Sequence, residues 1–246
     1  MAGHSKWANI KHRKGSQDAK KSKIFTKLIK EITVAARLDG DDIESNPRLR
    51  RAITNAKSNN LPLEKISKAV KKGTGHLDGN SYEDVVYEGY GPGGVAILIE
   101  VITDNRNRTV SDLRHIFSKQ SGNLAENGSV SWIFDKIGKI KIIRENKSED
   151  SIFSLVLEAG AEDVLIQEED FLVITKPEDL MEISDLIKNK GYSIKSSEFH
   201  MRPKTKQYLD LKEYEGLIKL LNLLEENDDV NKVFSNLDWK KSPNFN

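Results

Sequence analysis

Apolar residues recur at helical spacing through the first part of the chain. Ile24, Leu28, Ile32 and Ala36 follow one another at i, i+4 intervals, and Phe25 and Ile29 widen the stripe. This predicts a helix with Ser16 as its N-cap and Gly40 as its stop. Lys20, Lys23, Lys27, Lys30 and Arg37 fall on another face of it. A second helix is expected at Asn46-Pro47, a capping residue followed by proline at the first helical position, with Leu49, Ile53 and Ala56 facing inward. A third runs from Pro62 to Lys72 and stops at Gly73; Leu63, Ile66 and Val70 are its apolar positions and Lys65, Lys68, Lys71 and Lys72 its basic ones. Three short amphipathic helices with brief connections predict a small bundle with a basic outside.

Beyond Gly73-Thr74-Gly75 the period changes to that of strands. Residues 85–90 and 95–103 flank Gly91-Pro92-Gly93-Gly94, and Pro92-Gly93 suits the centre of a type II turn. A four-residue turn pairs Tyr90 with Val95 and sets Glu88 opposite Ile97. The run VAILIEVI reads as a central strand. A helix is expected from Thr109, with Thr109 and Asp112 as a capping-box pair and Val110, Leu113, Ile116 and Phe117 as its core face; a strand over residues 130–134 follows. Residues 138–202 then read strand, helix, strand, strand, helix, strand, which is the split βαβ order of ferredoxin-like domains. A helix over 212–226 and a strand over 230–234 are too little to fold alone. They are expected to complete the sheet begun at Val85, so that the 138–202 block is an insertion, and the tail 238–246 is expected to be loose. The fold class is therefore α+β and multidomain. It comprises a basic three-helix domain (residues 1–75), a discontinuous central α+β domain (76–136 plus 205–246) and an inserted ferredoxin-like domain (137–204).

Charge sharpens the picture. The net charge is only +1, yet residues 1–75 hold 18 Lys and Arg against 7 Asp and Glu, a net +11 against −10 for the remainder. Such a division suggests a polyanion-binding module joined to an acidic body. In residues 1–15 the only large apolar side chains are Trp7 and Ile10, too few to offset an ordering cost of roughly 1–2 kcal/mol per residue. Either this arm is mobile alone and orders on a partner, or Trp7 and Ile10, one helical turn apart, staple it to its own domain. Lys6, Lys11, Arg13 and Lys14 surround Trp7, His4 and His12, and cations interleaved with flat rings suit single-stranded or looped nucleic acid. The candidate nucleic-acid-binding set is Lys6, Trp7, Lys11, His12, Arg13, Lys14, Lys20, Lys21, Lys23, Lys27 and Lys30. A secondary anion site is possible at Asn105, Arg106 and Arg108, between a buried strand and a helix N-terminus; alternatively these residues cap that helix and pair with the acidic body.

Other chemistry is excluded by what the residues lack. There is no cysteine, hence no disulfide framework, thiolate metal site or thiol nucleophile. The longest apolar stretch, residues 95–102, carries Glu100 and falls far short of the roughly 18–20 residues of a membrane span. The basic N-terminus has no apolar core after it, so a cytoplasmic protein is expected. GYGPGG lacks the Lys-Ser/Thr of a phosphate loop. The acidic run from Asp39 has Glu44 and Arg50 where a calcium loop needs glycine and glutamate. The five histidines are scattered. Glu100 and Asp104 would stand ~13 Å apart along a strand, against the ~3.5–4 Å between ions in two-metal chemistry. No catalytic residue, metal, cofactor, membrane contact or small-molecule substrate is expected, and the chain does not read as an enzyme.

The motifs GHSKWANIKHRKGSQDAKKSKIFTKLIKEITVAAR, NPRLRRAI, KKGTG, YEGYGPGGVAILIE, TDNRNRT, GSVSWIF and MRPKT closely resemble the YebC/PmpR family, which also contains mitochondrial translational activators. The resemblance spans residues 1 to about 237. It implies a helical N-terminal domain, a central α+β domain and a ferredoxin-like domain inserted into the latter. It also implies a DNA-binding transcriptional regulator, or alternatively a translation factor that meets rRNA or tRNA on the ribosome. Specific DNA readout uses a few side chains on a recognition helix, and these lysine-dominated helices offer no compact set of Arg, Asn and Gln. A protein-interaction adaptor tethered by its basic domain is a third reading.

Overall fold

The computed structural model describes residues 17–77, 81–144, 148–239 and 241, with side chains from Lys21 onward. Helix α1 is Gln17–Asp39, α2 Pro47–Ser58 and α3 Leu63–Gly73; strands β1 (Glu83–Tyr90) and β2 (Ala96–Thr103) lead to α4 (Arg106–Lys119) and β3 (Asn123–Ala125). There follow β4 (Phe134–Ile143), α5 (Glu149–Glu158), β5 (Asp163–Ile166), β6 (Asp170–Thr175), α6 (Leu180–Asn189) and β7 (Ile194–Pro203), then α7 (Leu211–Glu226) and β8 (Val230–Ser235). The chain packs as two compact units. Of the described residues, those up to 34, those from 81 to 135 and those from 203 onward form one, and those within 35–77 and 136–202 form the other.

α1 stops where expected: Gly40 takes φ +82° and donates its N–H to the Ala36 carbonyl at 3.0 Å. Its stripe is buried less evenly than periodicity suggests, for Ile32 is fully buried while Ile24 is 44% exposed. Leu63, expected to face inward on α3, is likewise exposed. The cap of α2 is the residue expected and does more than cap. Asn46 is fully buried, accepts from the Leu49 N–H at 2.9 Å, and donates to the Ala35 and Gly40 carbonyls at 2.8 Å each. One amide thus closes the end of α1 and the start of α2. Asn46→Ala is expected to lower stability in urea by about 2–3 kcal/mol, a cap lost together with the amide's bonds to the buried Ala35 carbonyl and the part-buried Gly40 carbonyl. Asn46→Asp should not rescue it, because the donors become an oxygen facing two carbonyls.

The first sheet has the order β3-β1-β2-β8, so the C-terminal strand does complete the sheet begun by β1, with β8 antiparallel to β2. Ile97, Ile99 and Val101 of β2 pack with Leu113 and Phe117 of α4 and with Leu217, Leu220, Leu221 and Leu224 of α7. Four local expectations are corrected. Gly93 and Gly94 both take left-handed φ, +65° and +72°, so the loop runs one residue longer; Tyr90 pairs with Ala96 and Glu88 with Leu98. α4 starts at Arg106, capped by Asn105 and not by Thr109. The segment expected as a strand at 130–134 forms a single 3-10 turn, Ser131–Ile133, before β4, and the short β3 ahead of it carries no sequence signal of its own. The tail is not loose at its start: Trp239 is 6% exposed and meets Tyr214 edge-on, ring centres 6.5 Å apart.

The second sheet has the order β5-β6-β4-β7. This is the ferredoxin-like arrangement, in which the first strand of the block lies between the third and the fourth. Ile140, Ile142, Phe171 and Val173 pack under Ile152 and Val156 of α5 and Ile183 and Ile187 of α6. The edge strand β7 is guarded by α2. Asn55 accepts from the Ser197 N–H at 3.3 Å and donates to the Ser197 carbonyl at 3.4 Å, taking the place of a neighbouring strand.

Candidate nucleic-acid interface

Lys6, Trp7, Lys11, His12, Arg13 and Lys14 lie outside the described residues, as does the expected N-cap Ser16, and the side chain of Lys20 is not described. Lys21 is exposed, with its ammonium 5.6 Å from the Phe25 ring centre. The other three lysines of α1 are engaged within the protein. Lys23 Nζ donates to the Glu226 carbonyl at 2.9 Å and Lys27 Nζ to the Glu225 carbonyl at 2.7 Å; Lys30 Nζ reaches the Asp228 carbonyl and the Asp229 carboxylate, each at 2.8 Å. The last carbonyls of α7 have no partner within the helix and carry the negative end of its dipole. Of three ammoniums spaced i, i+4, i+7 along α1, those of Lys23 and Lys27 meet that end and that of Lys30 binds just past it.

Asp229 is the hub of this arrangement. Its side chain is 8% exposed, and Arg108 Nη2 and Lys30 Nζ each lie 2.8 Å from it. The Thr109 hydroxyl stands at 2.8 Å and the Thr103 hydroxyl at 3.2 Å. Burial alone would raise the carboxyl pKa, but hydrogen bonds from Arg108, Lys30 and Thr109 outweigh it and bring it to about 2. The same pairing raises the pKa of Arg108. Thr109 sits inside α4, which Asn105 caps three residues before Arg108, and its hydroxyl is shared among Asp229, Thr103 and the Asn105 carbonyl. Asn105 accepts from the Arg108 N–H at 3.0 Å, Arg106 pairs with Glu83 at 2.8 Å, and Arg108 also holds Asp104 at 2.8 Å. Asn105, Arg106 and Arg108 therefore cap the helix and pair with acids of their own unit.

On α2 and α3 the cations stand in mixed company. Arg50 lies 3.5 Å from Glu44, the Arg51 guanidinium 4.3 Å from the Phe199 ring centre, and Lys68 pairs with Glu64 at 2.7 Å. Lys136 lies 4.2 Å from the same Phe199 ring. Among the described residues no group of His, Asp or Glu is placed to hold a metal ion, and no helix is long and apolar enough to cross a membrane.

One arrangement is not foreshadowed by the sequence pattern. Glu88 of β1 is 4% exposed and accepts three backbone N–H groups, from Gly128 at 2.7 Å, Val130 at 2.6 Å and Ser131 at 2.9 Å. Burial works to raise its pKa, but the three N–H donors prevail and hold it below the usual carboxylate range. Two more bonds converge on the Ser129 carbonyl, from the Tyr90 hydroxyl at 2.8 Å and the Trp132 indole N–H at 3.0 Å. The loop so fixed holds out Trp132, 63% exposed. The available signal was a glutamate between tyrosines in YEGY and a tryptophan among polar residues in GSVSW.

Family models match both parts of the chain: the TACO1/YebC protein N-terminal domain over residues 5–76, and the TACO1/YebC second and third domain over residues 82–237. A probable transcriptional regulatory protein of Desulforapulum autotrophicum is 51% identical over 97% of this chain and 96% of its own length. One of Geotalea uraniireducens is 53% identical with the same coverage. The crystal structure of a conserved hypothetical protein from Aquifex aeolicus superposes with a TM-score of 0.84 at 44% identity, covering 96% of each chain. With both models and such relatives spanning nearly its whole length, this chain belongs to the TACO1/YebC family of probable transcriptional regulatory proteins, a family of regulators and not of enzymes.

Proposed function

We propose that this cytoplasmic protein regulates transcription by binding DNA through its basic N-terminal domain, residues 1–75, with the discontinuous central domain (76–136 plus 205–246) and the inserted domain (137–204) as an acidic body. The observation that carries this reading is the division of charge, net +11 within residues 1–75 and −10 in the rest. Neutralising phosphates with Lys and Arg releases counterions and supplies sequence-independent affinity. The engagement of Lys23, Lys27 and Lys30 with α7 and Asp229 shifts the weight of phosphate binding to Lys6, Lys11, Arg13, Lys14, Lys20 and Lys21. Trp7 and His12 are interleaved with these cations in the sequence.

Replacing Lys11, Arg13 and Lys14 by Gln should weaken binding to duplex DNA. The log affinity against log salt slope should flatten by up to ~0.9 for each phosphate no longer neutralised. Replacing Lys23 and Lys27 by Gln should instead lower the melting temperature more than the affinity. An unchanged affinity and slope for the Lys11, Arg13 and Lys14 variant would remove the arm from the interface. The second reading, a translation factor that binds ribosomal or transfer RNA, is favoured by the fixed and exposed Trp132.

A further inference from the structure

We propose that Trp132 is a stacking platform for an unpaired nucleobase, a second nucleic-acid site located in the central domain and not in the basic helices. The proposal rests on the nucleic-acid reading above and narrows the ligand to a strand with looped or single-stranded bases.

Exposing an indole forgoes the burial that a tryptophan ordinarily contributes, yet Trp132 is 63% exposed. It is also held still. Glu88 gathers the N–H groups of Gly128, Val130 and Ser131, and the Ser129 carbonyl takes both the Tyr90 hydroxyl and the indole N–H. A buried carboxylate is a costly way to shape a surface turn. Its effect is to fix the loop before any partner arrives, so little conformational freedom remains to be lost on binding. Because the indole N–H is already bonded to Ser129, Trp132 has no donor left to offer. What it presents is a flat π surface, which suits another flat ring. Cations stand alongside: the Lys204 N–H donates to the Ile133 carbonyl at 2.8 Å, which seats the exposed segment Lys204-Thr205-Lys206 beside the loop. The Lys204 ammonium is 3.5 Å from Asp135, both half-exposed, a pairing weak enough for a phosphate to replace. An aromatic platform flanked by lysines is the chemistry of single-strand recognition. Duplex bases are already stacked and gain nothing from it.

The test uses the full-length protein labelled with 5-fluorotryptophan, whose Trp132 fluorine signal is identified by its loss in Trp132→Phe. A stem-loop RNA should move that signal, and a fully paired RNA of equal length should not. Trp132→Ala should weaken stem-loop binding by about tenfold or more and leave duplex affinity unchanged, while Trp132→Phe retains most of the affinity. Glu88→Ala, which frees the loop but keeps the indole, should weaken stem-loop binding without altering duplex binding. If Trp132→Ala leaves both affinities unchanged, or lowers both equally, the stacking proposal falls while the wider nucleic-acid reading stands. If the wild-type protein binds neither RNA nor DNA, both fall. Unchanged RNA binding with loss of a co-purifying protein would overturn the proposal in favour of a protein-docking surface.

Discussion

Asp229→Ala is expected to lower the free energy of unfolding, measured in urea at pH 7, by about 3–5 kcal/mol. It removes one partner from a nearly buried ion pair and leaves Lys30 without its carboxylate. Lys30 and Asp229 side chains are 12% and 8% exposed, so water compensates little. Asp229→Asn, which keeps the shape and an acceptor for Thr109, should cost less. The loss also has a pH signature. The folded-state carboxyl titrates near 2 against an ordinary 3.8, so the unfolded chain binds the proton more readily. The stabilisation, about 2 kcal/mol by linkage, is complete above pH ~4 and disappears as the pH falls from about 4 through about 2. The stability gap between the wild-type protein and Asp229→Asn should narrow across that window. A gap that stayed constant from pH 6 to pH 2 would mean that the charge contributes nothing.

Glu88→Ala should cost about 2–4 kcal/mol, since three backbone N–H groups lose a charged acceptor in a site that admits little water. Amide exchange at Gly128, Val130 and Ser131 should accelerate, while exchange at Ile99 in the middle of β2 should hold once the global change in stability is subtracted. Glu88→Gln retains one carbonyl oxygen but turns an amide NH2 toward the other donors, and should recover only part of the loss. Because the folded carboxyl lies below its ordinary value, this contribution too is present at neutral pH and is lost on acidification. Protection at those three amides unchanged in Glu88→Ala would show that the turn is held by its own backbone.

The sequence was most legible where the stabilising pattern is local. The stop at Gly40, the Asn46-Pro47 start and the βαββαβ order can all be read from residues within a few positions of each other, and the structure has them. It was least legible where a side chain answers to something distant. The spacing of Lys23, Lys27 and Lys30 says that they share a face of α1 but not what that face meets. Lys23 finds its carbonyl 203 residues away. Thr109 has the right neighbours for a capping residue, but it lies inside α4, and its hydroxyl bonds Thr103 and the Asn105 carbonyl nearby and Asp229 from beyond α7. Gly94 looks like one more turn glycine until its own left-handed φ lengthens the loop and moves the register of β1 by one. Trp132 belongs with these: nothing within its own motif tells that a strand 40 residues earlier holds the loop that carries it.

The strand order β3-β1-β2-β8 also bears on how the protein is made. Roughly 130 residues separate the end of β2 from the start of β8. At ~5–20 residues per second the ribosome needs on the order of ten seconds to supply them. Meanwhile the intervening block can close a sheet of its own, but AILIEVIT waits with one edge unpaired. An apolar edge of that kind is a template for pairing with another chain. Aggregation is therefore a hazard of synthesis more than of the finished protein, and a chain released before Val230 keeps that edge open for good.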